Sequence, residues 1–503
     1  MANAKVAPYG SWKSPITSDL IVQGSVGLGM VRADGADVYW SEMRPSEGGR
    51  TCIVRRTADG ATRDMLPQPF NARTRVHEYG GGEFLVREGT IYFSNYSDQR
   101  LYRVAHGDHS APEPLTPESN SELRYGDMTF DPARRRLISV REDHRAAGGH
   151  EPANTLVSLR LDAEANADGG EVLVSGYDFY SSPRVSADGA HLAWLCWNHP
   201  NMPWDGTELW RADLRADGGI ANARLVAGGR DESIFQPEWS PSGSLYFVSD
   251  RSGWWNLYRA AGEDETLEAL CEMEAEFGLP QWGLGMSTYG FASDTEIVCA
   301  YIVRGMSRLA RLDTETKALQ EIESPYRDIQ YVQAAAGRAF FNAGAPQQSP
   351  SIVALDLATD KTETLRRANE LKFDEGYLSI AQAIEFPTTG GQTAHAFYYP
   401  PRNRDFDAPA GERPPLLVKS HGGPTAMAST TLSLSIQYWT SRGIAVLDVN
   451  YGGSTGYGRE YRLRLNDTWG ITDVDDCANG ARALAAEGLV DGARAVITGG
   501  SAG

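Results

Sequence analysis

One pattern recurs along most of this chain and restricts its fold more than any other. From about residue 25 to about residue 365, a turn of the D-G, S-G or D-P kind leads into a short β-rich run. A second run then closes the unit on a charged or aromatic residue. Asp34-Gly35 precedes Val38-Tyr39-Trp40, Gly89 precedes residues 91–94 and 101–104, and Asp131-Pro132 precedes residues 137–140 and 156–161. Asp188-Gly189 opens the next copy, with strands at 192–195 and 208–211. The most regular copy starts at Ser240-Pro241-Ser242-Gly243 and runs through 245–251 to 256–259, and two more start at Ser293-Asp294 and Gly337-Arg338. About seven copies at roughly 45-residue spacing match the period of a four-stranded propeller blade. A blade cannot bury both faces alone, so such units stack radially around a channel. No helical period runs through this region, and a β-sandwich does not need roughly 340 residues.

Before the repeats, residues 1–24 are rich in Pro and Gly and read as an arm lying across another domain. After them the grammar changes. Two alternating runs, 378–386 and 394–399, flank Thr388-Thr389-Gly390-Gly391, a hairpin signal. Strand and helix then alternate as in a parallel sheet with crossovers: strand 415–419, helix 429–442, strand 444–449, helix 473–487, strand 496–497. The domains expected are therefore an arm (1–24), a seven-bladed β-propeller (25–365) and the N-terminal part of an α/β-hydrolase domain (366–503).

The chain has 503 residues, 41% hydrophobic and 22% charged, with a net charge of -19. That balance suits folded domains and argues against a nucleic-acid partner, which needs clustered Lys and Arg. Five scattered cysteines form no C-x-x-C pair, so neither a zinc site nor a disulfide framework is indicated. No signal peptide or membrane-length apolar run is present, which makes cytoplasmic location the default and a membrane partner unexpected. Neither cofactor nor metal is expected, and homo-oligomerisation is left open.

The chemistry concentrates near the end. Val496 and Ile497 feed Gly499-Gly500-Ser501-Ala502-Gly503, a G-x-S-x-G pattern whose serine is flanked only by Gly and Ala. On its own this is as readily an ordinary Gly-Ser turn after a strand. In a nucleophile elbow, small neighbours allow close approach while the serine adopts strained backbone angles. Serine also needs a base and oxyanion donors. Residues 421–426, H-G-G-P-T-A, follow the strand 415–419 as an oxyanion loop would. A further segment, T-R-V-H-E-Y-G-G-G at 74–82, interrupts the blade pattern. It reads as a blade-connecting loop or, more sharply, as a polar loop at the channel mouth in which Arg73, Arg75, His77 and Glu78 lie near the domain interface.

Taken together, H-G-G-P-T-A (421–426), N-Y-G-G-S-T-G-Y-G-R (450–459), W-G-I-T-D-V-D-D-C (469–477) and G-G-S-A-G (499–503) resemble the prolyl oligopeptidase family of serine peptidases. The branch they resemble is the acylaminoacyl-peptidase and dipeptidyl-aminopeptidase-like one. The resemblance implies that Ser501 is the acyl-forming nucleophile, and that the N–H groups of Ala502 and of Gly422 or Gly423 form the oxyanion hole. His421 and Tyr451 are substrate-binding candidates, as are Arg75 and Glu78 from the charge density of their glycine-flanked loop. Residues 450–457 are expected to shape the active-site wall and the crossover after their strand, a mostly structural role. The resemblance also implies the chain order Ser, Asp, His, so His421 is not the base; all nine histidines precede Ser501, and the triad's Asp and His are expected beyond residue 503. The substrate expected is a short peptide. A carboxylesterase with the same elbow, or a catalytically inactive propeller that binds a partner, are the alternatives.

Overall fold

The computed structural model describes residues 4–22, 25–105, 111–145, 151–262 and 266–503. Seven four-stranded antiparallel sheets follow one another, each built from consecutive strands. They span residues 27–64, 84–114, 123–174, 179–228, 234–269, 289–322 and 328–367. These are the seven blades of a β-propeller. The first strands of neighbouring blades contact each other and so form the inner ring. Middle strands such as Arg136–Asp143 and Leu245–Ser249 are buried on both faces, whereas the rim strand Thr62–Asp64 is exposed and Lys361–Arg367 is exposed to half-buried. The turns behave as their residues dictate: in Ser186-Ala187-Asp188-Gly189, Asp188 Oδ1 accepts from the Ser186 hydroxyl at 2.6 Å and from the Ala190 N–H at 2.9 Å.

The repeat hides a further device. In five blades the pairing of the first two strands shifts register at an equivalent place. Asp127, Ser182, Gln236 and Tyr331 sit at these bulges with positive φ. Two of them turn a polar group to the next blade. Asp127 Oδ2 accepts from the Ser182 N–H (2.7 Å), and Gln236 Oε1 accepts from the Thr288 N–H (2.7 Å). The ring closes without a shared strand: blade seven packs on blade one through Trp40, Val31, Phe340 and Ile352, with Arg366 paired to Glu42 at 2.9 Å.

The C-terminal sheet has five strands in the order Gln382–Pro387, Thr393–Tyr399, Ala445–Asn450, Leu416–Ser420, Ala495–Gly499. The first two pairings are antiparallel and the last two parallel. Leu416, Val418, Leu447 and Val449 face the helix Thr472–Ala486, while Leu417 and Val446 face the helix Leu434–Thr440. Burial on both faces is what a central parallel strand requires. Ala495–Gly499 pairs on one side only among the described residues, and Val496 and Ile497 are 62% and 65% exposed.

The helix expected over 429–442 forms only over Leu434–Thr440. Residues 429–432 bond outward instead: Ser429 Oγ donates to Asp328 at 2.9 Å and the Leu432 N–H to the Ala345 carbonyl at 2.9 Å, both in blade seven. Propeller contacts outweigh helix propensity there. At the other end of the chain, Lys5–Val6 pairs with Phe406–Asp407, the Gly10 N–H reaches the Arg442 carbonyl at 3.0 Å, and Trp12 and Ile16 are buried, so this segment lies on the hydrolase domain.

Candidate active site

The strand Ala495–Gly499 delivers Ser501 at its C-terminal end. Ser501 has φ 56°, in the left-handed region that a non-glycine residue adopts only under constraint, and the Gly503 N–H closes the turn on the Gly500 carbonyl at 3.0 Å. The glycine at 503 is set by packing, since a Cβ there would lie 2.2 Å from the Ser420 carbonyl oxygen. Beside the turn runs the segment after Leu416–Ser420. A Cβ on Gly422 would stand 3.1 Å from Ser501 Cβ and 3.7 Å from its Oγ, so the 422 peptide touches the nucleophile. Among the described residues the N–H groups of Gly422, Gly423 and Ala502 have no acceptor.

His421 is buried and both ring nitrogens are engaged. Nδ1 lies 2.8 Å from the Gly422 carbonyl and Nε2 2.8 Å from Ser454 Oγ; the ring stacks on Tyr451 at 4.4 Å. Burial pushes its pKa down to about 4. A carbonyl acceptor at Nδ1 fixes the neutral tautomer with the proton on that nitrogen. Holding the Gly422 carbonyl also fixes the plane of the peptide that carries the Gly423 N–H.

The other motifs form a chain of supports. The Tyr451 hydroxyl donates to the His421 carbonyl (2.8 Å), the Thr455 N–H to the Ala426 carbonyl (2.9 Å), and Asn450 Oδ1 accepts from the Ala428 N–H (2.7 Å). The Gly452 N–H is held in turn by Asp476 on the Thr472–Ala486 helix (2.7 Å). Motif 469–477 thus steadies 450–457, which steadies 421–428.

The propeller carries a cavity of about 390 Å³ whose walls include His77, Glu78, Tyr79, Glu142, Trp197 and Trp282. Phe179 stacks on Trp197 at 5.3 Å, and the half-buried His77 ring meets both edge-on. Burial pushes the His77 pKa down to about 4, so this ring is neutral. Glu142 accepts from the His77 N–H, from Arg124 and from His144, at 2.8, 2.8 and 2.5 Å. Arg124 also reaches the exposed Glu78 at 3.2 Å. The segment carrying His77 and Glu78 then crosses the channel mouth. Gly81 pairs with Leu284 from the blade-six entry, and a Cβ at Gly81 would lie 2.4 Å from the Leu284 carbonyl oxygen.

Comparison with known proteins finds relatives of this fold. Residues 430–503 match the family described as Prolyl oligopeptidase family. A puromycin-hydrolyzing peptidase of Mycobacterium tuberculosis is 41% identical with a TM-score of 0.93, over 99% of this chain and 77% of that one. The chain belongs to the prolyl oligopeptidase family. A second solved relative, a puromycin hydrolase, is 40% identical with a TM-score of 0.92 over the same shares. Dipeptidyl aminopeptidase BIII of Pseudoxanthomonas mexicana is 31% identical over 122 residues, 24% of this chain and 18% of that protein. The matches span less than a quarter of the length of such curated relatives.

Within this prolyl oligopeptidase fold, Ser501, Ala502, Gly422, Gly423, His421 and Tyr451 stand together, and Glu78 and His77 line the propeller cavity. Arg75 and Arg73 do not join them. Both guanidinium groups lie over Tyr96, at 5.0 and 4.6 Å, and the Arg75 N–H bonds Gln99, which turns them toward the blade-two hairpin. Sequence reasoning missed Glu142, Phe179, Trp197 and Trp282. The strand-ending aromatics of blade four are visible in the sequence, but nothing local says that they face a cavity.

Proposed function

We propose that this protein is a serine peptidase that removes N-terminal residues from short peptides through an acyl-enzyme on Ser501. The observation that carries the reading is Ser501 at φ 56° in a G-x-S-x-G turn, with the 422 peptide in contact with it. Ser501 Oγ attacks the scissile carbonyl carbon while its proton passes to a histidine base. The oxyanion is met by the N–H of Ala502 and one from Gly422 or Gly423. The C–N bond breaks as the base returns the proton to the leaving amine, and water then repeats the attack on the acyl-serine. His421 is unsuited to be that base, since its nitrogens are committed to Gly422 and Ser454. The base proposed is a histidine C-terminal to Ser501.

The cavity supports a finer reading. Carboxylates Glu78 and Glu142 beside an aromatic wall suit a free α-ammonium group and an aromatic first side chain. Two solved relatives are named for hydrolysing puromycin.

The test compares the full-length protein with its Ser501→Ala variant on an aromatic aminoacyl amide and on its N-acetylated form. Turnover should fall about a million-fold without the serine, and acetylation should lower kcat/KM. Persisting turnover in Ser501→Ala refutes the assignment, and cleavage of esters without amides favours a carboxylesterase. The 503-residue chain alone should show no Ser501-dependent turnover; if it does, His421 or another of its histidines is the base.

A further inference from the structure

We propose that Trp282 is a positioning residue through which the propeller sets the oxyanion loop of the hydrolase domain; this rests on the reading of Ser501 as nucleophile. Trp282 Nε1 donates to the Thr425 carbonyl at 2.7 Å, a bond between residues 143 apart in the chain. Thr425 belongs to the H-G-G-P-T-A segment whose 422 peptide touches Ser501. That segment is held from three directions: His421 grips the Gly422 carbonyl, Thr455 the Ala426 carbonyl, and Trp282 the Thr425 carbonyl between them. Two of these grips come from the hydrolase domain itself. The third comes from the propeller.

Trp282 is well placed to transmit. Its ring is clamped by Trp204 at 4.4 Å and by Tyr79 at 5.0 Å. Its backbone neighbour Leu284 donates to the Gly80 carbonyl at 2.8 Å, inside the loop that also presents His77 and Glu78. One face of Trp282 lines the 390 Å³ cavity while its N–H reaches the oxyanion loop. A ligand that presses on this wall acts on the peptide planes that must meet the oxyanion. Oxyanion donors work only when aimed at the position the charge will occupy, so small losses of aim cost rate rather than ground-state binding.

Trp282→Phe in the full-length enzyme keeps an aromatic wall and deletes the donor. With kcat normalised to Ser501 sites titrated by a fluorophosphonate, we expect about a tenfold fall in kcat. An equal loss of affinity is expected for a peptide aldehyde, whose tetrahedral adduct uses the oxyanion donors, while KM stays unchanged. Should phenylalanine disturb folding, benzothienylalanine at 282, isosteric with tryptophan but with sulfur in place of the N–H, gives the same split. Wild-type kcat and aldehyde affinity in the benzothienylalanine enzyme overturn the proposal, as does a change confined to KM, which would make Trp282 a wall only. A wild-type enzyme without Ser501-dependent turnover instead refutes the peptidase reading, before position 282 is altered.

Discussion

At the scale of single residues, the site depends on close approach and on a neutral histidine. Gly422→Ala puts a methyl 3.0 Å from the Gly500 carbonyl and 3.1 Å from Ser501 Cβ. We expect about a hundredfold loss of kcat/KM with little change in the thermal unfolding midpoint; retained activity would mean that the two segments separate easily. His421 has a folded pKa near 4 against an ordinary 6.5. Between those values the unfolded chain binds a proton that the folded one refuses, so its contribution is complete above pH 6.5 and is lost as pH falls toward 4. His77 adds a second proton of the same sign. Unfolding midpoints measured from pH 7.5 to 4.5 should fall less steeply in His421→Asn than in wild type, and equal slopes would contradict the assignment. In Glu78→Gln, KM should rise several-fold for a free-amine peptide and stay constant for its acetylated form; equal effects on both would return this loop to a purely structural role. The G-x-S-x-G and H-G-G-P patterns were legible because tight turns and close approach demand small residues next to one another. The Trp282–Thr425 bond was not, because partners 143 residues apart leave no local trace.

Among the elements, the short helix Gly458–Leu463 does the most to join the two domains. Arg459 and Arg462 both bond the buried Asp250 of the propeller, Arg462 at 2.5 Å, and the Arg462 guanidinium lies 4.1 Å over Trp255. The Gly458 N–H donates to the buried Glu276 at 3.0 Å. Removing one partner of a buried ion pair strands the other, at about 3–5 kcal/mol. Arg462→Met should therefore lower the thermal midpoint and speed proteolysis between the domains; an unaltered midpoint would show that Arg459 suffices. The blades could be read from turn-and-strand spacing alone, since each repeat carries its own turn chemistry. The inner-strand bulges could not, because their role lies in the neighbouring blade. The 429–442 pattern misled for the same reason: Ser429 and Leu432 answer to blade seven rather than to their own helix.

For the molecule as a whole, the ring closes without a shared strand, chiefly through side chains packed between blades one and seven. Trp40 is fully buried between blades one and seven, so Trp40→Ala should cost about 3–5 kcal/mol and loosen hydrogen-exchange protection first in those two blades. Uniform loss around the ring would argue against a weak point there. The same seam has another consequence. The chain enters blade one at Gly27 and leaves blade seven at Arg367, and the Val26 N–H and Ala368 carbonyl are bonded at 2.8 Å. Both covalent tethers to the hydrolase domain therefore leave the ring at one point of its rim, while the Asp250–Arg462 contact lies with blades four to six, across from it. The seam tether and the buried Asp250–Arg462 pair therefore brace the two domains from different sides of the ring, with the cavity walled by blades three and four between them.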